Sequence, residues 1–288
     1  MKTFRFRLDS SSNKFTCPSC QKKRFVRYID QSNGDYIQNR YGRCDREVAC
    51  SYHYSPYDDH RFEGKKTVNI PKRIVEPVYI PRELYKRSLG NYRNNNFVQY
   101  LNFIFDTPTV RKVIKKYHLG TSTKLKGGCI FYQLDLQGKI RRGKIIVYNT
   151  RTGRRGRIHS VHSMLGIEKK YYPNWRFFGE HLLIDKSKPV AIVESEKTAV
   201  IASAYFPEFI WLATGTKSTL KPEYSQALKG RSVTLFPDIG AYQDWSVKLE
   251  GFSEFCDISI SNLLESKSGD FEKKEGFDLA DYLAAGNV

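Results

Sequence analysis

Four of the six cysteines fall in two clusters, Cys17-Pro-Ser-Cys20 and Cys44-Asp-Arg-Glu-Val-Ala-Cys50, which constrain the fold more tightly than any apolar pattern in the chain. A C-x2-C knuckle presents two thiolates from one tight turn, and a second pair from a distant loop completes a tetrahedron around one Zn²⁺. Pro18 and Ser19 suit that turn, and the basic, aromatic run from Lys22 to Tyr28 follows as a strand. This is the pattern of a zinc ribbon with a structural Zn²⁺. The second cluster is less regular, because five residues separate Cys44 from Cys50 whereas Cys50 and His53 have knuckle spacing. Cys17, Cys20 and Cys50 are therefore joined by either Cys44 or His53. A disulfide or free thiols fit less well, since nothing else in the chain points to an oxidising compartment. Cys129 and Cys256 lie in apolar, strand-like runs and read as core residues.

The N-terminal Met-Lys-Thr-Phe-Arg-Phe-Arg has no secretory apolar segment. No apolar run approaches the roughly 20 residues that span a bilayer. A soluble, cytoplasmic protein with no membrane partner is expected. Charge is unevenly distributed: residues 1–187 hold 38 Lys and Arg against 15 Asp and Glu, a net +23, while residues 188–288 hold 10 against 15, a net −5. The basic part has the electrostatic footprint of a nucleic-acid binder, and the acidic part gathers carboxylates for metal or chemistry.

The ribbon is expected at residues 1–60, followed by a Pro-containing, charged linker at 61–81. A basic α+β subdomain at 82–187 starts with a helical region to Tyr117, in which Phe97, Tyr100, Leu101, Ile104 and Phe105 recur at helical spacing as a core stripe. Apolar runs at 129–135 and 144–148 flank Leu136-Gln-Gly-Lys139 and predict a hairpin. Lys139, Arg141, Arg142, Lys144, Arg151, Arg154, Arg155 and Arg157 follow with no acid from Gly138 to Arg157. Of these, Arg141, Arg142, Lys144, Arg154, Arg155 and Arg157 are expected to form a sequence-tolerant phosphate track for single-stranded DNA. Tyr148 and Trp175 are candidates to stack on unpaired bases. A solvated basic hairpin is the competing reading.

From 188 to 288 strands alternate with helices, which predicts a mostly parallel, Rossmann-like sheet and an α/β fold class. Glu194 follows the run Val190–Val193, and Asp238 follows Val233–Phe236. Ligands of such sheets meet the carboxyl ends of strands. Carboxylates after two adjacent strands can share one Mg²⁺ and bring phosphates or an activated hydroxyl to it. Lys197, just beyond, is placed either on a phosphate or against Glu194.

Val190-Ala-Ile-Val-Glu-Ser-Glu-Lys-Thr-Ala199 resembles the glutamate motif of the Toprim domain. Leu212-Ala-Thr-Gly-Thr216 resembles its glycine turn, and Leu235-Phe-Pro-Asp-Ile-Gly-Ala241 its aspartate motif. The segments 130–139 and 175–183 are similar to parts of the catalytic core of bacterial-type DNA primases. With the ribbon in front, the order resembles primases and the Toprim proteins of plasmids, phages and conjugative elements.

The resemblance implies Glu194 and Asp238 as catalytic, Mg²⁺- or Mn²⁺-binding residues of a nucleotidyltransferase that makes short RNA primers. It implies single-stranded DNA and nucleotides as partners, with a replicative helicase as a further one. It also has a departure: the usual Asp-x-Asp is Asp238-Ile-Gly240, so metal affinity should fall unless Asp244, Asp278 or Asp281 reaches the site. Little of the chain remains after the Toprim segment for the helical part of a primase core. The alternative reading is therefore a catalytically reduced, DNA-binding Toprim protein acting in replication or transfer of a mobile element. A Toprim nuclease or topoisomerase is a weaker third class, because no tyrosine stands in a strand-passage context.

Overall fold

Val26, Tyr28 and Asp30 are buried while Arg27 and Ile29 between them are partly exposed, and in the computed structural model Lys23–Asp30 is the long strand of a ribbon. The structure describes residues 2–46, 49–62, 67–69, 76–269, 272 and 276–286. They belong to two units, Met1–Ile74 and Val75–Val288.

In the first unit β1 (Lys2–Phe4) pairs with β7 (Thr67–Asn69). A second sheet runs β2 (Phe6–Leu8), β4 (Lys23–Asp30), β5 (Gly42–Cys44), β6 (His53–Tyr54), with β3 (Phe15–Thr16) also on β4. Its apolar core is small: Phe6, Tyr28 and Tyr41 form one cluster, and Phe25 packs with Cys17 and Cys44 in another. Gly42 is required where it stands, because a Cβ there would collide with the Phe25 ring and the Val26 carbonyl oxygen. Asp30 is buried against the Arg5 guanidinium at 2.6 Å. Of the linker expected at 61–81, residues 63–66 and 70–75 lie outside the described residues, Thr67–Asn69 form a strand, and Ile80 is already part of a core in the second unit.

The second unit opens with α1 (Arg82–Ser88), α2 (Asn96–Ile104) and α3 (Thr107–Tyr117). The Asn95 side chain caps α2, accepting from the amides of Phe97 and Val98, and Asp106 caps α3. An antiparallel sheet follows in the order β11 (Arg155–Ser160), β10 (Ile140–Tyr148), β9 (Gly128–Leu134), β8 (Gly120–Thr121), with the short α4 (Val161–Met164) after β11. The expected hairpin is β9 and β10; its turn is closed by Asp135 and by Gly138, whose φ of +71° suits glycine.

Then β12 (Val190–Val193), α5 (Glu196–Tyr205), β13 (Ile210–Ala213), β14 (Ser232–Leu235), α6 (Tyr242–Ser246), α7 (Glu250–Ser253), β15 (Asp257–Ile260), α8 (Leu263–Lys267) and α9 (Leu279–Ala284) complete the unit. The last four strands form one sheet in the order β13, β12, β14, β15, with every pair parallel. Strand β12 is buried on both faces, as in parallel sheets generally. Ala191 and Val193 join a core with α2, α5 and β9, whereas Val190 and Ile192 pack with Trp245 and Phe252 on the other side. Both the expected basic subdomain and the expected C-terminal domain thus lie within the second unit and share the first of these cores. Among the described residues no helix is long and apolar enough to cross a membrane.

Candidate zinc site and active site

The sulfurs of Cys17, Cys20, Cys44 and Cys50 all lie within 4.8 Å of one another. Cys17 is 3.8 Å from Cys50 and Cys20 is 3.9 Å from Cys44. Zn–S bonds of about 2.3 Å in a tetrahedron require S···S edges of about 3.8 Å, so the four thiolates fit Zn²⁺. Gln21 and Ser51, each following the last cysteine of its cluster, both have φ of 54°, which turns the chain back around the sulfurs. His53 is exposed, its Nε2 3.1 Å from the Tyr28 hydroxyl, so it is Cys44 and not His53 that stands with the other three thiols. Spacing alone did not separate the two, because the choice depends on which side of β5 and β6 faces the knuckle.

In the second unit the sheet order places the point where the winding of the chain reverses, from one side of the sheet to the other, between β12 and β14. The chain moves from β12 outward to β13, then crosses back to β14 and outward again to β15. The crevice beyond the carboxyl ends of such a pair is where ligands of open α/β sheets bind. Glu194 follows β12 directly, ahead of Ser195, whose Oγ accepts from the Thr198 amide at 3.1 Å and caps α5. Asp238 follows β14 after Phe236 and Pro237. Both line one cavity of about 650 Å³, and helix α5 directs its N-terminal end toward it.

Arg155, exposed at the start of the edge strand β11, and Arg154, exposed just before it, line the same cavity, as does Arg151 in the preceding turn. Arg157 is exposed farther along β11. The structure does not align the other three expected track residues with these. Arg141 bonds Asp135 at 3.1 Å and stands over the Tyr79 ring. Arg142 is clamped between Tyr172 and Trp175, 5.3 and 4.8 Å from the ring centres, and donates Nε–H to the Pro173 carbonyl. Burial pulls its guanidinium below the usual range. Lys144 donates from Nζ to both Glu196 carboxylate oxygens, at 3.1 and 3.0 Å, and to the Gly215 carbonyl. Glu196 is 2% exposed, so this ion pair joins β10 to the first turn of α5. Tyr148 is not available for base stacking: it is buried against Phe97 and Phe131.

Asp278 and Asp281 reach the cavity and Asp244 does not; it is exposed on α6. The two aspartates form the capping box of α9 and hold Lys197 between them, at 3.1 and 2.8 Å. Burial alone would lower Lys197, but the two carboxylates outweigh it and hold the ammonium above its usual range. Lys197 therefore pairs with α9 rather than with Glu194. Gly240 has φ of +74° with open space where a Cβ would stand, and its amide donates to Glu265 at 3.0 Å. Sequence reasoning missed the Lys144–Glu196 pair. Its only local trace is a second acid two residues after Glu194.

A four-thiolate ribbon and, in the second unit, a parallel sheet whose order fits a Toprim domain define a zinc-ribbon protein of α/β class. The chain belongs to the family described as a domain of unknown function, DUF6371, whose model matches residues 95–239. A zinc beta-ribbon finger family matches residues 4–66. No curated protein matches the chain. Among solved structures it is similar to the primase fragment of the bacteriophage T7 primase-helicase, at 11% identity over 95% of each chain with a TM-score of 0.43. It is similar to a DnaG primase catalytic domain bound to single-stranded DNA, at 13% identity over 71% of this chain and 80% of that one, TM-score 0.44. The zinc-binding and RNA polymerase domains of the Aquifex aeolicus primase match at 13% identity over 98% and 79% of the two chains, TM-score 0.40. At such scores the functional reading rests on the chain's own residues.

Proposed function

We propose that the chain is a primase-like Toprim protein that holds single-stranded DNA and joins nucleotides into short RNA primers. The observation that carries this reading is the meeting of Glu194 and Asp238, from the ends of neighbouring parallel strands, in one cavity with Arg154 and Arg155. Two carboxylates in a water-accessible cavity suit a hard cation such as Mg²⁺ or Mn²⁺, which they would hold together with substrate phosphates. When bound, that ion neutralises a triphosphate and lowers the barrier to attack by a 3′-hydroxyl. The arginines at the start of β11 supply fixed positive charge for the phosphates, and Lys144 fixes Glu196 so that the chain around Glu194 keeps its position. The exposed basic edge of β11 tracks the DNA backbone.

A second reading is favoured by one observation: Gly240 stands where the motif has a second acid, and the two aspartates that do reach the cavity are already paired with Lys197. It is a catalytically reduced DNA-binding protein acting in replication or transfer of a mobile element. The test is incubation with single-stranded DNA, labelled ribonucleotides and Mg²⁺ or Mn²⁺. Oligonucleotide products that vanish in Glu194→Gln and Asp238→Asn, with zinc content and DNA affinity kept, support the enzyme. DNA binding without products supports the second reading, and absence of both overturns the proposal.

A further inference from the structure

Beside the carboxylate cavity lies a second pocket of about 280 Å³, bounded by Phe131, Gln133, Arg142, Ile158, Ser160 and Trp175. The strand register explains its composition. Gln133 stands opposite Arg142, Phe131 opposite Lys144, Lys144 opposite Ser160, and Ile146 opposite Ile158, so these side chains share one face of the sheet. The Lys144–Glu196 pair forms the wall between the pockets, since Glu196 lines both.

Gln133 is 5% exposed, and its Oε1 has no hydrogen-bond partner among the described residues. A buried amide oxygen left without a donor is unfavourable, and on a side chain that lines a pocket it points to a ligand that supplies the missing N–H. Trp175 is held rigidly, donating Nε1–H to the Thr214 carbonyl at 2.7 Å, with the Arg142 guanidinium over its ring. Aromatic rings and guanidinium planes are the surfaces on which unpaired bases stack. The volume lies near the small end of ligand sites, suited to one flat ring system rather than to a whole nucleotide.

From this geometry we infer that the pocket receives a nucleobase, with Gln133 Oε1 accepting an N–H from the Watson–Crick edge and the Trp175 ring, backed by Arg142, providing the stacking wall. The inference deepens the nucleotide-handling reading and rests on it. The base comes either from an incoming nucleotide whose phosphates lie in the neighbouring cavity or from a DNA strand on β11; the chemistry is the same.

The test has two arms, both on the full chain. In the first, ATP with Mn²⁺ is compared with purine riboside triphosphate, which stacks equally well but has no N–H on that edge. In the second, an oligo-dA is compared with the same oligomer carrying purine deoxyriboside. The wild type should favour adenine by about 10-fold in the arm that identifies the source, the scale of one well-made base contact. Gln133→Met, close in volume, should reduce that preference to less than about 2-fold while leaving affinity for tripolyphosphate with Mn²⁺ unchanged; Gln133→Leu serves as a second variant if Met misfolds. Equal binding of both partners in both arms, or a preference that survives in the variants, overturns the pocket. Failure of the wild type to bind any nucleotide, tripolyphosphate or DNA overturns the nucleotide-handling reading as well.

Discussion

Glu180 is 2% exposed, and burial pushes its carboxyl from an ordinary 4.5 up to about 7, with Arg176 at 3.6 Å offsetting only part of the effect. An acid that holds its proton more tightly when folded stabilises the fold at low pH. That contribution is complete below the unfolded value and is lost as pH rises through the folded one. Between pH 5 and pH 8 the wild type should therefore lose up to about 3 kcal/mol relative to Glu180→Gln, as read from urea unfolding at both pH values. A constant difference between the two proteins would refute this account. The neighbouring His181, pulled down to about 4 by burial, acts in the opposite sense, its contribution being lost as pH falls from 6.5 toward 4. Restoring the missing second acid by Gly240→Asp would strengthen metal binding only if the backbone there allowed a side chain. Its φ of +74° does not favour one, so the substitution should instead destabilise the chain by about 1 kcal/mol, measurable as a lowered denaturation midpoint.

Strand β11 is the element on which the DNA reading can be tested most directly, since it is an edge strand and its arginines are exposed. Replacing Arg154, Arg155 and Arg157 with Ala should reduce the slope of log affinity against log salt by about 2 for a single-stranded oligomer, if each makes one phosphate contact. An unchanged slope would make the strand a solvated surface. Lys144, on the adjacent strand, is expected to respond differently. Lys144→Ala leaves Glu196 buried without its cation, so it should lower stability by about 3 kcal/mol while the salt slope stays at the wild-type value. The contrast follows from the two strands' positions: among the described residues β11 is paired on one side only, whereas β10 is paired on both.

At the scale of the molecule, the described residues of the first unit form two small apolar clusters while those of the second form three larger cores. Metal binding is therefore expected to supply much of the folding free energy of the ribbon and little of that of the second unit. Double substitution of Cys17 and Cys20 by Ser should take zinc from about one ion per chain to none. It should also abolish the ribbon's cooperative unfolding and preserve the transition of residues 75–288. Loss of both transitions together would show that the units do not fold independently.

Some of this architecture is encoded within a few residues, and there the sequence was sufficient. Cysteine spacing marks a metal knuckle, Leu136-Gln-Gly-Lys139 marks a turn, and the apolar runs before Glu194 and Asp238 mark buried strands, because turn chemistry and side-chain periodicity are local properties. Pairings between distant residues were not legible. Lys144 meets Glu196 across 52 positions and Lys197 meets Asp281 across 84, and only the tertiary fold, which packs α9 on α5 and brings the Lys144 side chain to it, decides those partners. The choice of Cys44 over His53 likewise waits on the faces of two paired strands. Glu194 and Asp238 share a cavity because β12 and β14 are neighbours, an order set by burying both faces of the parallel sheet and not by any pattern along the chain.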